Sequence, residues 1–274
     1  MTRFNRLALV ALVALVAPLA PVAPVAPVAP AFADVTIKST MSGKGMGISG
    51  TTNTVTYIKG NKMRSDTVTG DTTRSVVFDM ETSRMISFDN KKKEADVYDM
   101  QKLAAEVSKN VQVADMKASI TPNGKTKQIA GQNAAGYDAE IVVPAMMGGE
   151  KGMKMTVTLT GPMWVVKNAP GAAEYLNFYK NAVEKGWFFT DPRAAKGQPG
   201  QAKAMAEMYR QIAQAGLPYE QEMNMKMGGE GPMAAMFAKM GNVTMTTVVQ
   251  SVETTTLGAD LFAPPAGYKL KEQK

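Results

Sequence analysis

The chain has 274 residues, no Cys and no His, with 31 Lys+Arg against 24 Asp+Glu, and 45% of it is hydrophobic. Without Cys there is no disulfide and no thiol nucleophile, and without His the commonest general base is missing, so a zinc site would need carboxylates alone. The charge is mild and mixed, with no block longer than Lys91-Lys92-Lys93 and no aromatic-basic interleaving, which argues against nucleic-acid binding.

Residues 1–33 read as a secretory signal peptide. Arg3 and Arg6 supply a positive start, Leu7–Ala20 is apolar, and Ala31-Phe32-Ala33 offers a small-residue cleavage site before Asp34. A Pro-Val-Ala repeat from Pro18 to Pro30 stops any helix, and the apolar run ahead of it is too short for a membrane span. An uncleaved anchor is the alternative reading. The expectation is a periplasmic or secreted protein whose residues 34–274 form a single domain, since that length supports one large core.

From Asp34 the pattern is strand, turn, strand. Val35–Met41 precedes a Gly-rich stretch, Ser42–Gly50, in which Gly45-Met46-Gly47-Ile48-Ser49-Gly50 matches G-x-G-x-x-G. No helix pattern follows it, so it reads as a flexible loop rather than a dinucleotide site. Thr54–Asp71 then forms a hairpin. Gly60-Asn61 favours positive φ and a two-residue turn, which pairs Lys59 with Lys62, Ile58 with Met63 and Tyr57 with Arg64. Arg74–Met80, Arg84–Phe88 and Glu94–Tyr98 continue as strands. Asp66 with Asp71, and Asp79 with Asp89, are carboxylate pairs at strand ends, where turn roles are the default.

Asp99 is placed as an N-cap, followed by Met100, Leu103, Ala104 and Val107 in one apolar stripe. Strands resume to Ile120, with a turn expected at Pro122-Asn123-Gly124, then Lys125–Ile129 and Tyr137–Val143. Pro144–Gly152 reads as flexible, and Lys154–Thr160 and Met163–Lys167 as two strands broken at Gly161-Pro162. Ala172, Tyr175, Leu176, Tyr179, Ala182 and Val183 make a helix ended by Gly186. A third helix is expected over Gln201–Ala215, a strand over Leu217–Met227, a short helix carrying Met233, Met236, Phe237 and Met240, and a long strand over Asn242–Thr256.

Short connections favour antiparallel pairing, and each helix has one apolar face to bury. The fold class expected is therefore α+β: a large curved antiparallel sheet, or half-barrel, with three to four helices covering its concave face.

The stretch Tyr57-Ile58-Lys59-Gly60-Asn61-Lys62-Met63-Arg64 resembles the "yikG-k-R" hairpin of exported bacterial proteins in the LolA/LolB/LppX-like, lipoprotein-carrier-like group. It is most similar to a periplasmic branch of that group known as a domain of unknown function. Asp79–Asp89, Gly131–Ile141 and the closing Leu261-Phe262-Ala263-Pro264-Pro265-Ala266-Gly267-Tyr268 resemble further motifs of that branch, in the same order. The resemblance implies a half-barrel around a hydrophobic cavity with helices as a lid, taking lipid or acyl chains without chemistry. It also implies transient contact with a membrane or lipoprotein. The carrier's own functional residues have no identifiable counterpart here.

Methionine is the unusual component, 22 residues in all. Met223, Met225 and Met227 alternate on a strand and share a face. Such residues fit ordinary core packing, the lining of an adaptable apolar cavity, or soft thioether ligation of Cu(I). The ligand-lining expectation names Ile58, Met63, Met85, Met223, Met225 and Met227 from the sheet, and Leu103, Met236 and Phe237 from helices. No catalytic residue, metal ligand or cofactor is assigned. The function expected is non-catalytic binding of a hydrophobic small molecule or lipid; the alternatives are a Met-rich copper binder and an interaction module without a small ligand. Trp187-Phe188-Phe189, just past Gly186, reads as an exposed apolar patch, and Trp164 as core.

Overall fold

The computed structural model describes residues 33–45, 48–109, 117–147, 153–187, 210–212, 214–229, 234–235, 237 and 241–273. They lie within the compact unit Phe32–Lys274. Its strands are β1 (Val35–Gly45), β2 (Ile48–Lys59), β3 (Lys62–Thr69), β4 (Thr72–Asp79), β5 (Arg84–Asp89), β6 (Glu94–Asp99), β7 (Lys117–Ile129), β8 (Gln132–Met147), β9 (Met153–Val166), β10 (Leu217–Gly229), β11 (Val243–Thr254) and β12 (Lys269–Glu272). Helix α1 spans Met100–Lys109, α2 spans Ala172–Glu184, and a 3-10 helix spans Ala259–Phe262.

These strands form one open, curved sheet in the order β12-β6-β5-β4-β3-β2-β1-β11-β10-β9-β8-β7. Two meanders, β1–β6 and β7–β11, are therefore joined where β1 pairs antiparallel with β11. Among the described residues the single parallel pair is β12 on β6, which the antiparallel expectation does not include. The β2–β3 hairpin has the expected register, Lys59 opposite Lys62, Ile58 opposite Met63 and Tyr57 opposite Arg64, with Gly60 at φ 55. Asp99 caps α1, its Oδ1 accepting the backbone N–H of Gln101 at 3.0 Å and of Lys102 at 3.1 Å.

Several boundaries differ from the sequence reading, each for a local reason. Gly45 pairs with Ile48, so most of the Gly-rich stretch is strand; Met46 and Gly47 lie outside the described residues. Pro122-Asn123-Gly124 is a bulge inside the continuous edge strand β7, where a proline is tolerated because no neighbour needs its N–H. The hairpin turn falls instead at Ala130-Gly131, with φ 47 and 75. β9 runs unbroken through Gly161-Pro162: a Cβ at Gly161 would collide with the Glu222 carbonyl oxygen, so its absence lets β10 lie close at that point.

The core has three parts. The main cluster holds Val35, Ile37, Ile58, Met63, Phe78, Met85, Met100 and Leu103 against Tyr175, Phe178 and Tyr179 of α2. A second cluster holds Tyr137, Ile141, Val143, Met163, Val165, Met223 and Ile212. Val165 belongs to the second and its neighbours Trp164 and Val166 to the first, so the two lie on opposite faces of β9. A third cluster, Val77, Phe88, Ala95 and Phe262, backs β4–β6, where Val77 alternates with the main-cluster residue Phe78.

This corrects the expectation that three to four helices cover one concave face. Helices α1 and α2 cover the main cluster, but Ile212, from the helical residues before β10, packs on the opposite face, and the 3-10 helix packs behind β4–β6. The physical cause is that β8 and β9 bury apolar residues on both faces, so each face needs its own cover. Trp187 is likewise no exposed patch: it is fully buried in the main cluster, while Phe188 and Phe189 lie outside the described residues.

Candidate functional site

The nine expected lining residues do not form one group. Ile58, Met63, Met85 and Leu103 come together in the main cluster, each under 5% exposed. They are packed against α2, whose Tyr179 hydroxyl donates to the Met63 sulfur at 3.7 Å. Met223, 4% exposed, belongs to the second cluster, and Met225 and Met227 are half-buried beside it. Phe237 is buried outside these clusters, and Met236 is outside the described side chains.

The strand register builds a continuous apolar strip around Met223, Met225 and Met227. Met223 lies opposite Met245, and Met225 opposite Val243, on β11. On β9, Met225 lies opposite Leu159, Met227 opposite Val157 and Gly229 opposite Met155. Ile141 and Val143 of β8 extend those rows. Opposed residues share a face, so all these side chains project to one side. Met155, Val157, Leu159, Met225, Met227 and Met245 are only half-buried. Met245, Leu159 and Met155 were not among the expected lining residues, because inter-strand register is what brings them to Met223.

Part of the opposite face of the same strands is polar. An open trough of about 490 Å³ is lined by Ser119, Thr121, Asp138, Glu140, Thr160 and Asn224, each alternating along its strand with the apolar set. None of the nine expected residues lines it. Asp138 accepts from Asn123 at 3.0 Å, and Asn224 accepts from the Thr244 hydroxyl at 2.7 Å. Among the described residues no three carboxylates converge as a metal site. Asp79 and Asp89 each accept two backbone N–H groups of the turns that follow them, and Asp66 binds the Arg64 guanidinium at 2.8 Å, so these carboxylates hold local structure.

One buried carboxylate stands apart. Glu174 of α2 is 3% exposed and accepts the Gly60 N–H at the tip of the β2–β3 hairpin. Burial pushes its pKa above the ordinary value, opposed by the Gly60 hydrogen bond; Asp34 pushes it further up and Lys59 pulls it back. Lys59 meets Asp34 at 2.8 Å, and Asp34 also accepts the Leu257 N–H at 2.7 Å. The cluster ties α2, the hairpin tip, the start of β1 and the loop after β11 together.

No helix among the described residues is long and apolar enough to cross a membrane. No family model matches the chain, and no curated protein matches it. Among solved structures, an uncharacterized conserved protein from Thermus thermophilus superposes with a TM-score of 0.37 at 7% identity, over 88% of this chain and 91% of that one. PNGF-II superposes at 0.31 with 10% identity, over 88% of this chain but 32% of PNGF-II. A domain described as a putative outer membrane lipoprotein-sorting protein from Vibrio parahaemolyticus superposes at 0.28 with 9% identity, over 85% and 90%. At such scores none of the three assigns this chain a family, a ligand or a site residue.

Proposed function

We propose that this is an exported, non-catalytic protein that holds a hydrophobic ligand, a lipid or acyl chain, on the methionine-lined face of β8–β11. The observation that carries the reading is the strip Met155, Val157, Leu159, Met225 and Met227, brought to one sheet face by register and left half-buried. The main cluster under α1 and α2, by contrast, is packed with the chain's own side chains. Unbranched thioethers repack around chains of varied shape, and covering apolar surface stabilises a complex by about 25 cal/mol per Å², less the cost of ordering the guest. The ordered motifs from Tyr57 to Tyr268, which resemble the lipoprotein-carrier-like group, and the N-terminal export pattern support the same reading and a periplasmic address.

The test is uptake of a fluorescent fatty acid by delipidated protein. Saturable uptake is expected, reduced by Met227→Glu or Leu159→Glu and unchanged by Thr158→Glu, whose side chain projects to the other face. No uptake, or uptake that ignores the charge placed in the strip, would reject this function.

A further inference from the structure

The strip contains a smaller arrangement that an apolar guest does not need. Met223 of β10 and Met245 of β11 are direct cross-strand partners. Directly opposed residues hold their Cβ atoms about 4.5–5.5 Å apart, within reach of a shared ligand for side chains as long and flexible as methionine. Met225 follows Met223 on the same face of the same strand.

The flanks of this pair are bare. On β1 the residue opposite Met245 is Gly43. On β9, Gly161 lies beside Met223, its Cβ position 3.5 Å from the Met223 Cα. At these two positions the neighbouring strands place no side chain to hold the thioethers apart or fill the space beside them. Met223 is 4% exposed while Met225 and Met245 are half-buried, so the three residues sit at the border of the dry interior and the solvent.

We infer that Met223, Met225 and Met245 form a thioether site for a soft monovalent cation, Cu(I) or Ag(I). Neutral thioethers do little for hard cations, which prefer carboxylate and carbonyl oxygens, but they suit soft d10 ions. On one side of the pair this face carries Val243, Leu159, Ile141 and Ala139, and on the other the neutral pair Gln221 and Thr247, so no carboxylate lies in these rows to draw a hard cation. The sequence has no thiol or imidazole to outcompete the site.

Sulfur and hydrocarbon can be separated by experiment. Met→Leu keeps volume and apolarity and removes the ligating atom. The protein would be titrated with Cu(I) under reducing, anaerobic conditions against a chromogenic chelator, and with Ag(I) while the methionine methyl resonances are followed. Expected are stoichiometric Cu(I) binding and Ag(I)-induced shifts at Met223, Met225 and Met245. Met223→Leu with Met245→Leu is expected to weaken Cu(I) by about tenfold or more. Met245→Leu alone, at a half-buried position, guards against loss of fold, and Met80→Leu in the main cluster is the unaffected control. Failure to compete with the chelator, undiminished affinity in the double variant, or shifts confined to other methionines would overturn the site. Loss of fatty-acid uptake with Cu(I) binding intact would instead remove the apolar-ligand function and leave the thioether site standing.

Discussion

Arg64 donates its Nη1 to the carbonyl oxygen of Leu261 at 3.0 Å, joining the β2–β3 hairpin to the 3-10 helix near the far end of the chain. Its Nε is held by Asp66 at 2.8 Å, and its guanidinium lies 6.0 Å from the Phe88 ring centroid. Phe88 in turn meets Tyr268 edge-on at 5.9 Å. Two of the motifs read from the sequence, Tyr57–Arg64 and Leu261–Tyr268, are thus halves of one contact that closes the back of β4–β6.

Arg64→Ala is expected to destabilise the fold by about 2 kcal/mol, since it removes a charge-assisted hydrogen bond and leaves the Leu261 carbonyl and Asp66 without it. That corresponds to a fall in melting temperature of about 4–8 °C. Arg64→Lys is expected to recover only part of the loss, because an ammonium cannot reproduce the planar fork. A melting temperature within a degree or so of the parent for Arg64→Ala would show that the C-terminal segment is held by Phe262 and Tyr268 alone.

Asp99→Ala removes the cap of α1 and is expected to cost about 1 kcal/mol. Its carboxyl is held below the ordinary value chiefly by the Lys102 backbone N–H, so the cap's contribution is present at neutral pH and lost as pH falls through the folded pKa. Hydrogen exchange at Gln101 and Lys102 should speed up in the variant; unchanged protection there would mean the cap does not hold the helix start.

Gly161→Val is expected to disrupt the β9–β10 seam more than its small size suggests. The added side chain would meet the Glu222 carbonyl, which is backbone and cannot rotate away. Overpacking of this kind costs about 1–3 kcal/mol, and exchange protection should fall on both sides of the β9–β10 seam. Gly131→Val makes the comparison, since a Cβ there has nothing within 4 Å but takes on φ 75. Equal loss at the two positions would show that backbone conformation, and not the close approach of β10, sets the cost.

Glu174→Gln should change how stability depends on pH. A carboxyl whose folded pKa stands above its unfolded value binds protons more tightly when folded, so its favourable contribution is present below the unfolded pKa and lost as pH rises through the folded one. For Glu174 the loss begins near the ordinary value of 4.5 and extends upward. The amide still accepts the Gly60 N–H but carries no charge to desolvate beside Asp34. The melting temperature of the variant relative to the parent should therefore rise as pH goes from about 4 to about 7. A pH-independent difference would mean that Lys59 fully compensates the carboxylate.

Local chemistry makes part of this fold readable. Gly60-Asn61 sets a turn whose length fixes the register of its strands, so Ile58 and Met63 can be paired without coordinates. Asp99 and the Met100–Leu103 spacing likewise carry their own signal. Gly161-Pro162 reads as a break only because the reason for its glycine is the Glu222 backbone, distant in sequence. The pairing of Met223 with Met245 is hidden for the same reason: alternation tells which residues share a face within a strand, never which strand comes alongside. Trp187 reads as exposed because it follows a helix stop, yet its backbone N–H, donated to the Ala182 carbonyl at 2.9 Å, folds the chain back into the core.

The β1–β11 junction governs how the molecule can be made. Strand β1 finds β2 quickly, but its other edge waits for residues 243–254, far along the chain. Until then one long margin of unpaired amides remains available to any passing extended segment, a hazard that grows with the delay. Synthesis cut short ahead of β11 would leave a half-built ribbon inclined to zip onto its neighbours, so safe passage depends on speed of completion or on a guardian that masks that margin.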